Sequence, residues 1–135
     1  MLNRLTQTLE FQAQALVLRS ERQRLIASNI ANADTPGYVA RDMNFTQALR
    51  EATGAAQPRG AMAATQVGHI APPAGARSEP GLVYATPSQT NLDSNTVDLD
   101  RERANFADNA VKYEATLRFV NGSVRTMLDA IKGQS

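Results

Sequence analysis

The sequence predicts a mainly α-helical chain whose long N-terminal and C-terminal helices pack as a coiled-coil-like pair. Three observations predict this fold class. No Pro or Gly precedes Pro36, the residues from Leu99 to Ile131 carry a sustained heptad pattern, and the stretch between these regions is rich in Gly, Pro and Ala. Since Gly and Pro interrupt helices, we expect the middle to form an extended arm and a small irregular or β lobe.

The 135 residues suit one domain or one compact subunit. Helix-favouring residues give way to turn residues near residue 34 and return near residue 95, which sets the boundaries of four segments. These are an N-terminal helix (1–34), a turn with an extended arm and a short helix (35–53), a flexible middle lobe (54–94) and a C-terminal heptad helix (95–135).

The N-terminal helix has a broad apolar surface rather than a narrow seam. One side carries Leu2, Leu5, Leu9, Leu16, Ile26 and Ile30. A second row, at seven-residue spacing, is Phe11, Leu18 and Leu25. Gln12, Arg19 and Gln23 interrupt any simple heptad. A surface this wide indicates either a helix packed on two neighbours within one domain, or a helix packed on its own chain and on other subunits.

A strong stop signal follows the first helix. Asn32 and Thr35 favour caps and turns because their side chains compete for backbone hydrogen bonds. Pro36 cannot continue a helix, and Pro36-Gly37 fits the centre of a type II turn in which Gly37 has a positive φ. We therefore expect the chain to leave the helix in a fixed direction and to continue as an extended segment from Tyr38.

The middle of the chain is predicted to hold little regular structure. Residues 38–45 are predicted to be extended, and residues 45–52 fit a short helix that Gly54 ends. From residue 54 to residue 87 the chain holds five Gly and five Pro but few large apolar side chains, which predicts a mobile loop or a small irregular lobe. Within it, residues 81–85 fit one short strand, and residues 65–67 are its candidate partner.

The C-terminal helix carries the clearest periodic signal of the chain. Asn95, Thr96 and Asp98 favour a helix N-terminus, and the acidic residues just after them complement the helix dipole. Beyond them, positions at alternating spacings of four and three are nearly all apolar, namely Leu99, Arg103, Phe106, Ala110, Tyr113, Leu117, Val120, Val124, Met127 and Ile131. A heptad seam this long predicts that the helix packs against another helix. Asn121-Gly122 interrupts the apolar pattern.

The composition argues against catalysis and against nucleic acid as a partner. The formal net charge is +1, there is no cysteine, and His69 is the only histidine. An activated nucleophile or a zinc site needs more such side chains than this, and a nucleic-acid-binding domain needs a basic field. We predict a protein that is not an enzyme and holds no cofactor or metal. No segment is apolar enough to predict direct membrane insertion.

Four runs of residues resemble a known family. Two of the runs together resemble the N-terminal signature of the bacterial flagellar rod and hook proteins. These runs are Asn29-Ile30-Ala31-Asn32 and, shortly after it, Thr35-Pro36-Gly37-Tyr38. A short member of that family, which forms the proximal rod, resembles this chain at Ala40-Arg41-Asp42-Met43-Asn44-Phe45 and at Asn95-Thr96-Val97-Asp98-Leu99-Asp100-Arg101-Glu102. The resemblance implies a structural subunit of the flagellar basal body, in the part of the rod that transmits motor torque, self-assembling through its terminal helices.

The resemblance also implies partners, a location and interface residues. The partners are other copies of the chain, other flagellar rod proteins, the adaptor between rod and membrane ring, and the flagellar type III export apparatus. The location is the periplasmic rod of the basal body, reached without a cleaved signal peptide. The implied assembly residues are Asn29, Ile30, Asn32, Thr35, Pro36, Gly37, Tyr38, Leu99, Phe106, Tyr113, Leu117, Val120, Val124, Met127 and Ile131. The alternative is a soluble helical adaptor or secretion chaperone that uses the same apolar seam.

Overall fold

The structure, a computed structural model, describes residues 2–54, 82–84 and 92–133. Its elements, in chain order, are α1 (Leu2–Ala31), β1 (Arg41–Met43), α2 (Phe45–Ala52), β2 (Leu82–Tyr84) and α3 (Leu99–Lys132). The predicted fold class is confirmed, because the chain is mainly helical and the two long terminal helices are in contact. Side-chain bonds pair Asn29 with Glu102, Gln23 with Asn109 and Gln12 with Ser123. Residue numbers fall along α1 as they rise along α3, so the helices are antiparallel.

The stop signal after α1 forms the predicted turn. The backbone N–H of Tyr38 donates to the Thr35 carbonyl at 3.2 Å, and Gly37 has a φ of +71°. Pro36 and Gly37 therefore occupy the two central positions of a type II turn. The Gly37 N–H donates to the Asp93 carbonyl at 2.7 Å, which ties the turn to the segment that precedes α3.

A short ribbon and a short helix follow the turn. β1 pairs with β2 in antiparallel register, with Arg41 opposite Tyr84 and Met43 opposite Leu82. The strand predicted at residues 81–85 is thus present, but its observed partner is β1. The candidate partner at residues 65–67, and most of the segment predicted as a mobile lobe, lie outside the described residues. The predicted short helix is present as α2, whose N-cap Asn44 accepts a bond from the Gln47 N–H.

α3 is one continuous helix from its cap to Gly133. The Asp98 side chain caps it by accepting from the Arg101 N–H at 3.2 Å, and Asp100 lies in the first turn, where the dipole favours negative charge. The Asn121-Gly122 pair, predicted to interrupt the pattern, lies within the helix. Gly133 is the C-cap.

The core is small and partly polar. Its buried apolar side chains are Ala15, Leu18, Ile26, Ala40, Met43, Ala48 and Val97. Four polar side chains, Asn29, Asn95, Glu102 and Asn109, are buried beside them. Buried polar groups stabilise a fold only when they are bonded, so these four residues decide how the segments fit together.

Candidate assembly surface

Asn29 joins three segments of the chain from a fully buried position on α1. Its Oδ1 accepts from the Arg41 N–H at 3.0 Å, and its Nδ2 donates to the Arg41 carbonyl at 2.7 Å. The Tyr38 hydroxyl also donates to Oδ1, at 3.2 Å. Nδ2 reaches Glu102 Oε2 on α3 at 3.2 Å. The amide therefore fixes the direction of the extended arm relative to both long helices.

Asn95 closes the C-terminal end of α1 from another part of the chain. Its Nδ2 lies 3.0 Å from the Asn32 carbonyl and 2.8 Å from those of Ala33 and Thr35. Its Oδ1 accepts from the Val97 N–H at 2.8 Å. The last carbonyls of a helix have no partner within the helix, and here one amide side chain supplies donors to that region.

A polar row runs along the side of α3 that faces α1. It recurs every seven residues and consists of Glu102, Asn109, Thr116 and Ser123. Asn109 Nδ2 donates to the Arg19 carbonyl at 2.9 Å and to Gln23 Oε1 at 2.6 Å, and Ser123 Oγ lies 3.4 Å from Gln12 Oε1. With the Asn29–Glu102 bond, the row contacts α1 at three levels between Gln12 and Asn29.

Two apolar rows lie to one side of the polar row. The inner row is displaced from the polar row by four residues, or about 40° around an α-helix, and the outer row by eight residues, or about 80°. The inner apolar row is Leu99, Phe106, Tyr113, Val120 and Met127. The outer apolar row is Ala110, Leu117, Val124 and Ile131. In the inner row Phe106 is 39% exposed and the other four side chains are half-buried. In the outer row Ala110 is half-buried, whereas Leu117, Val124 and Ile131 are 38%, 41% and 59% exposed. α1 thus packs against one flank of the predicted heptad seam and leaves the other flank open.

The structure separates the predicted interface residues into two groups. In the turn motif, Asn29 is buried and the half-buried residues are Ile30, Asn32 and Tyr38. Thr35, Pro36 and Gly37 are exposed. Asn32 bonds locally, donating to the Ser28 carbonyl and accepting from the Thr35 hydroxyl. The turn motif organises its own chain, and its contact with other subunits stays a prediction, as does that of the seam.

Charged groups cluster where α1, β1 and α3 meet. Arg22 donates to both carboxylate oxygens of Asp42, at 3.1 Å each, and so joins α1 to β1. Glu102, 6% exposed, lies nearby. Burial raises the pKa of Glu102, the hydrogen bond from Asn29 opposes the rise, and the charge of Asp42 adds to it. Bidentate pairing occupies Arg22 with Asp42, which leaves Glu102 the less stabilised carboxylate.

Sequence reasoning missed three residues that position this surface. Asn95 is predicted to favour the start of α3, but its side chain bonds to the end of α1, and Asp98 is the N-cap of α3. The sequence indicates Glu102 only as an acidic residue near the start of α3, and it gives Asn109 no role, since apolar periodicity counts only apolar positions. Their signal is the polar period of seven beside the seam. Gln12 and Gln23 interrupt the apolar rows of α1, and in the structure they are partners of that polar row.

The described residues hold no obvious chemical centre. Across residues 2–54, 82–84 and 92–133 no group of three or more His, Cys, Asp or Glu side chains could hold a metal ion. Within the same ranges no helix is long and apolar enough to cross a membrane. The two features of the described residues that could serve a function are the contacts of the buried asparagines and the open outer apolar row. Both concern packing between helices and segments.

Comparison with known proteins identifies the family. A family model described as flagella basal body rod protein matches residues 9–38. The flagellar basal body rod protein FlgB of Proteus mirabilis (strain HI4320) is 45% identical over 135 residues, covering 98% of each chain. FlgB of Salmonella typhimurium (strain LT2) is 46% identical and covers 98% of this chain and 99% of its own. FlgB of Escherichia coli (strain K12) is 43% identical, with 98% of each chain covered.

These relatives are similar along almost the whole chain, so the resemblance read from the turn motif and the start of α3 is confirmed. The family is structural, in agreement with a fold whose open surface is an apolar helix face. The chain therefore belongs to the FlgB family of flagellar basal body rod proteins and is a structural protein rather than an enzyme.

Proposed function

We propose that this chain is a subunit of the proximal part of the flagellar rod and that it joins neighbouring subunits through the outer apolar row of α3. The observation that carries the proposal is the exposure of Leu117, Val124 and Ile131 on one side of a long helix. Leu128, beside them, is 49% exposed. Contiguous exposed apolar side chains of this kind mark interaction surfaces.

Helix geometry supports a second helix as the occupant of this row. Inner and outer rows alternate at spacings of three and four, the pattern that accepts knobs-into-holes packing. α1 covers the inner apolar row on the side next to the polar row. A helix from another subunit could pack on the opposite side of the inner row, over the outer apolar row. Neighbours of this type are other copies of the chain and other rod proteins, which expose comparable terminal helices if they share the fold.

The remaining partners rest on family membership. They are the adaptor between the rod and the membrane ring and the flagellar export apparatus, through which the chain would reach the periplasmic rod without a cleaved signal peptide. A rod subunit packed against several neighbours through its helices would pass torque from one subunit to the next through those contacts.

The test introduces a charge into the outer apolar row. Val124→Glu places a carboxylate where a neighbouring helix would exclude water, and burying an unpaired charge is costly. Val111→Glu is the matched control, because Val111 is 69% exposed on the same helix and lies outside the three rows. We expect Val124→Glu to abolish motility and concentration-dependent self-association, measured by sedimentation of the purified subunit.

Two results would contradict the proposal. One is normal motility and normal self-association in Val124→Glu, with the variant present in purified basal bodies. The other is an equal loss in Val111→Glu, which would show that added negative charge anywhere on α3 is enough. Circular dichroism of both variants establishes that helix content is unchanged before assembly is compared.

A further inference from the structure

The way α1 packs on α3 does not follow from apolar burial. The apolar seam of α3 is centred between its inner and outer rows, and a helix that sought only apolar contact would lie over that centre. α1 lies instead toward the polar row, where Glu102 and Asn109 are buried while Leu117 and Val124 stay exposed.

The polar row includes a group that a purely stabilising contact would not keep. Asn109 is fully buried and donates two hydrogen bonds through Nδ2. Its Oδ1 is also buried, and within the described part of the chain it accepts no hydrogen bond. A buried acceptor without a partner lowers stability, and a leucine at this position would avoid that loss. In paired helices, a buried polar residue at one position selects the register and partner at some loss of stability.

We propose that the polar row selects the face of α3 on which α1 packs and thereby keeps the outer apolar row free for another subunit. Asn29–Glu102, Gln23–Asn109 and Gln12–Ser123 are the three pairs that make the selection. If α1 rotated about 40° around α3, onto the apolar centre, all three pairs would be broken, and Gln12 and Gln23 of α1 would face the apolar rows without their partners. The inference rests on the function proposed for the outer row.

The pairs are spaced so that they fix position along the axis as well as rotation. They lie near the start, middle and end of the contact between α1 and α3. A slip of either helix by one turn would separate each pair by about 5.4 Å and break the hydrogen bonds. A heptad seam repeats every seven residues, or about 10.5 Å, so apolar side chains alone would accept a slip of that size, whereas the Asn109 amide has acceptors at one level only.

The experiment removes the selecting groups and asks which face of α3 is covered. Asn109→Leu and Ser123→Leu are made singly and together. The matched control is Thr126→Leu, which adds the same side chain at an exposed position whose hydroxyl bonds only to its own helix. Because the natural chain has no cysteine, Val124→Cys in each background reports exposure of the outer row by its rate of thiol labelling. Dilute, monomeric protein is used, and helix content is checked by circular dichroism.

The inference predicts that labelling of Val124→Cys slows severalfold in the double variant and is unchanged in the Thr126→Leu background. Each single variant should lie between these values, so the series remains informative if the double variant folds poorly. Equal labelling rates in all folded backgrounds would overturn the inference. The proposed function is tested by a separate measurement, the self-association of Val124→Glu. Self-association at the wild-type level would contradict the proposed function, whereas the labelling experiment uses monomers and does not depend on self-association.

Discussion

Replacing Asn95 by Ala removes the side chain that ties the end of α1 to the segment before α3. Asn95 is 1% exposed, and its amide reaches carbonyls of residues 32, 33 and 35 at 2.8 to 3.0 Å. Its Oδ1 also holds the Val97 N–H at 2.8 Å. The change leaves these groups without the donors and the acceptor that the amide supplies.

The structure sets the size of the expected loss. An amide nitrogen carries two hydrogens, so the three carbonyls share two full hydrogen bonds, and the bond from Val97 makes a third. At a net value of about 1 kcal/mol for each bond, Asn95→Ala should lower the free energy of unfolding by about 3 kcal/mol. That is a large part of the stability of a small domain.

Urea denaturation followed by circular dichroism measures this loss. Asn121→Ala is the matched control, because Asn121 is exposed on α3 and Ala favours a helix, so its unfolding free energy should change by no more than about 0.5 kcal/mol. A loss below about 1 kcal/mol in Asn95→Ala would refute the reasoning. Asn95→Asp adds a second check: a carboxylate facing three carbonyls should destabilise more than Ala at neutral pH and recover as pH falls, when it can donate a proton.

Two further predictions concern the turn and the buried carboxylate. Gly37→Ala should lower the free energy of unfolding by about 1 kcal/mol, because a φ of +71° is unfavourable for alanine. No atom lies within 4 Å of the added Cβ, so no steric clash adds to this loss. An unchanged urea midpoint would contradict the prediction. The pKa of Glu102 is raised in the folded state, so the folded chain takes up a proton at a higher pH than the unfolded chain does. The free energy of unfolding should therefore gain from this group as pH falls from neutral toward the ordinary pKa of a glutamate. Glu102→Gln should be more stable than the natural chain at neutral pH, and the difference should shrink at lower pH; a difference independent of pH would exclude the assignment.

The elements of this fold could be predicted from local chemistry. The helix stop at Pro36-Gly37, the short helix over Phe45–Ala52 and the cap at Asp98 follow from residues whose preferences act within a few positions. Tertiary contacts do not oppose these preferences, so the observed boundaries differ from the predicted ones by a few residues.

The relation between the long helices could be predicted only in part. Apolar periodicity correctly indicated that α3 packs against another helix, but it could not show which flank of the seam α1 would take. That choice is made by hydrogen bonds of Asn29, Gln23 and Gln12 to α3, and polar residues of this kind resemble solvated ones in a sequence. Asn95 was misassigned for the same reason, because an amide suits the start of one helix and the end of another equally well.

The most direct test of the central claim is the exposure of the outer apolar row before and after assembly. Leu117→Cys, Val124→Cys and Ile131→Cys are labelled with a thiol reagent in the free subunit and in purified basal bodies, using the chain's lack of natural cysteine. Dissolving the basal bodies in denaturant should restore labelling and shows that the cysteines are intact. We expect rapid labelling of the free subunit and strong protection in the rod at all three positions. Equally rapid labelling in intact, functional rods would show that no neighbouring subunit covers this row and would contradict the account.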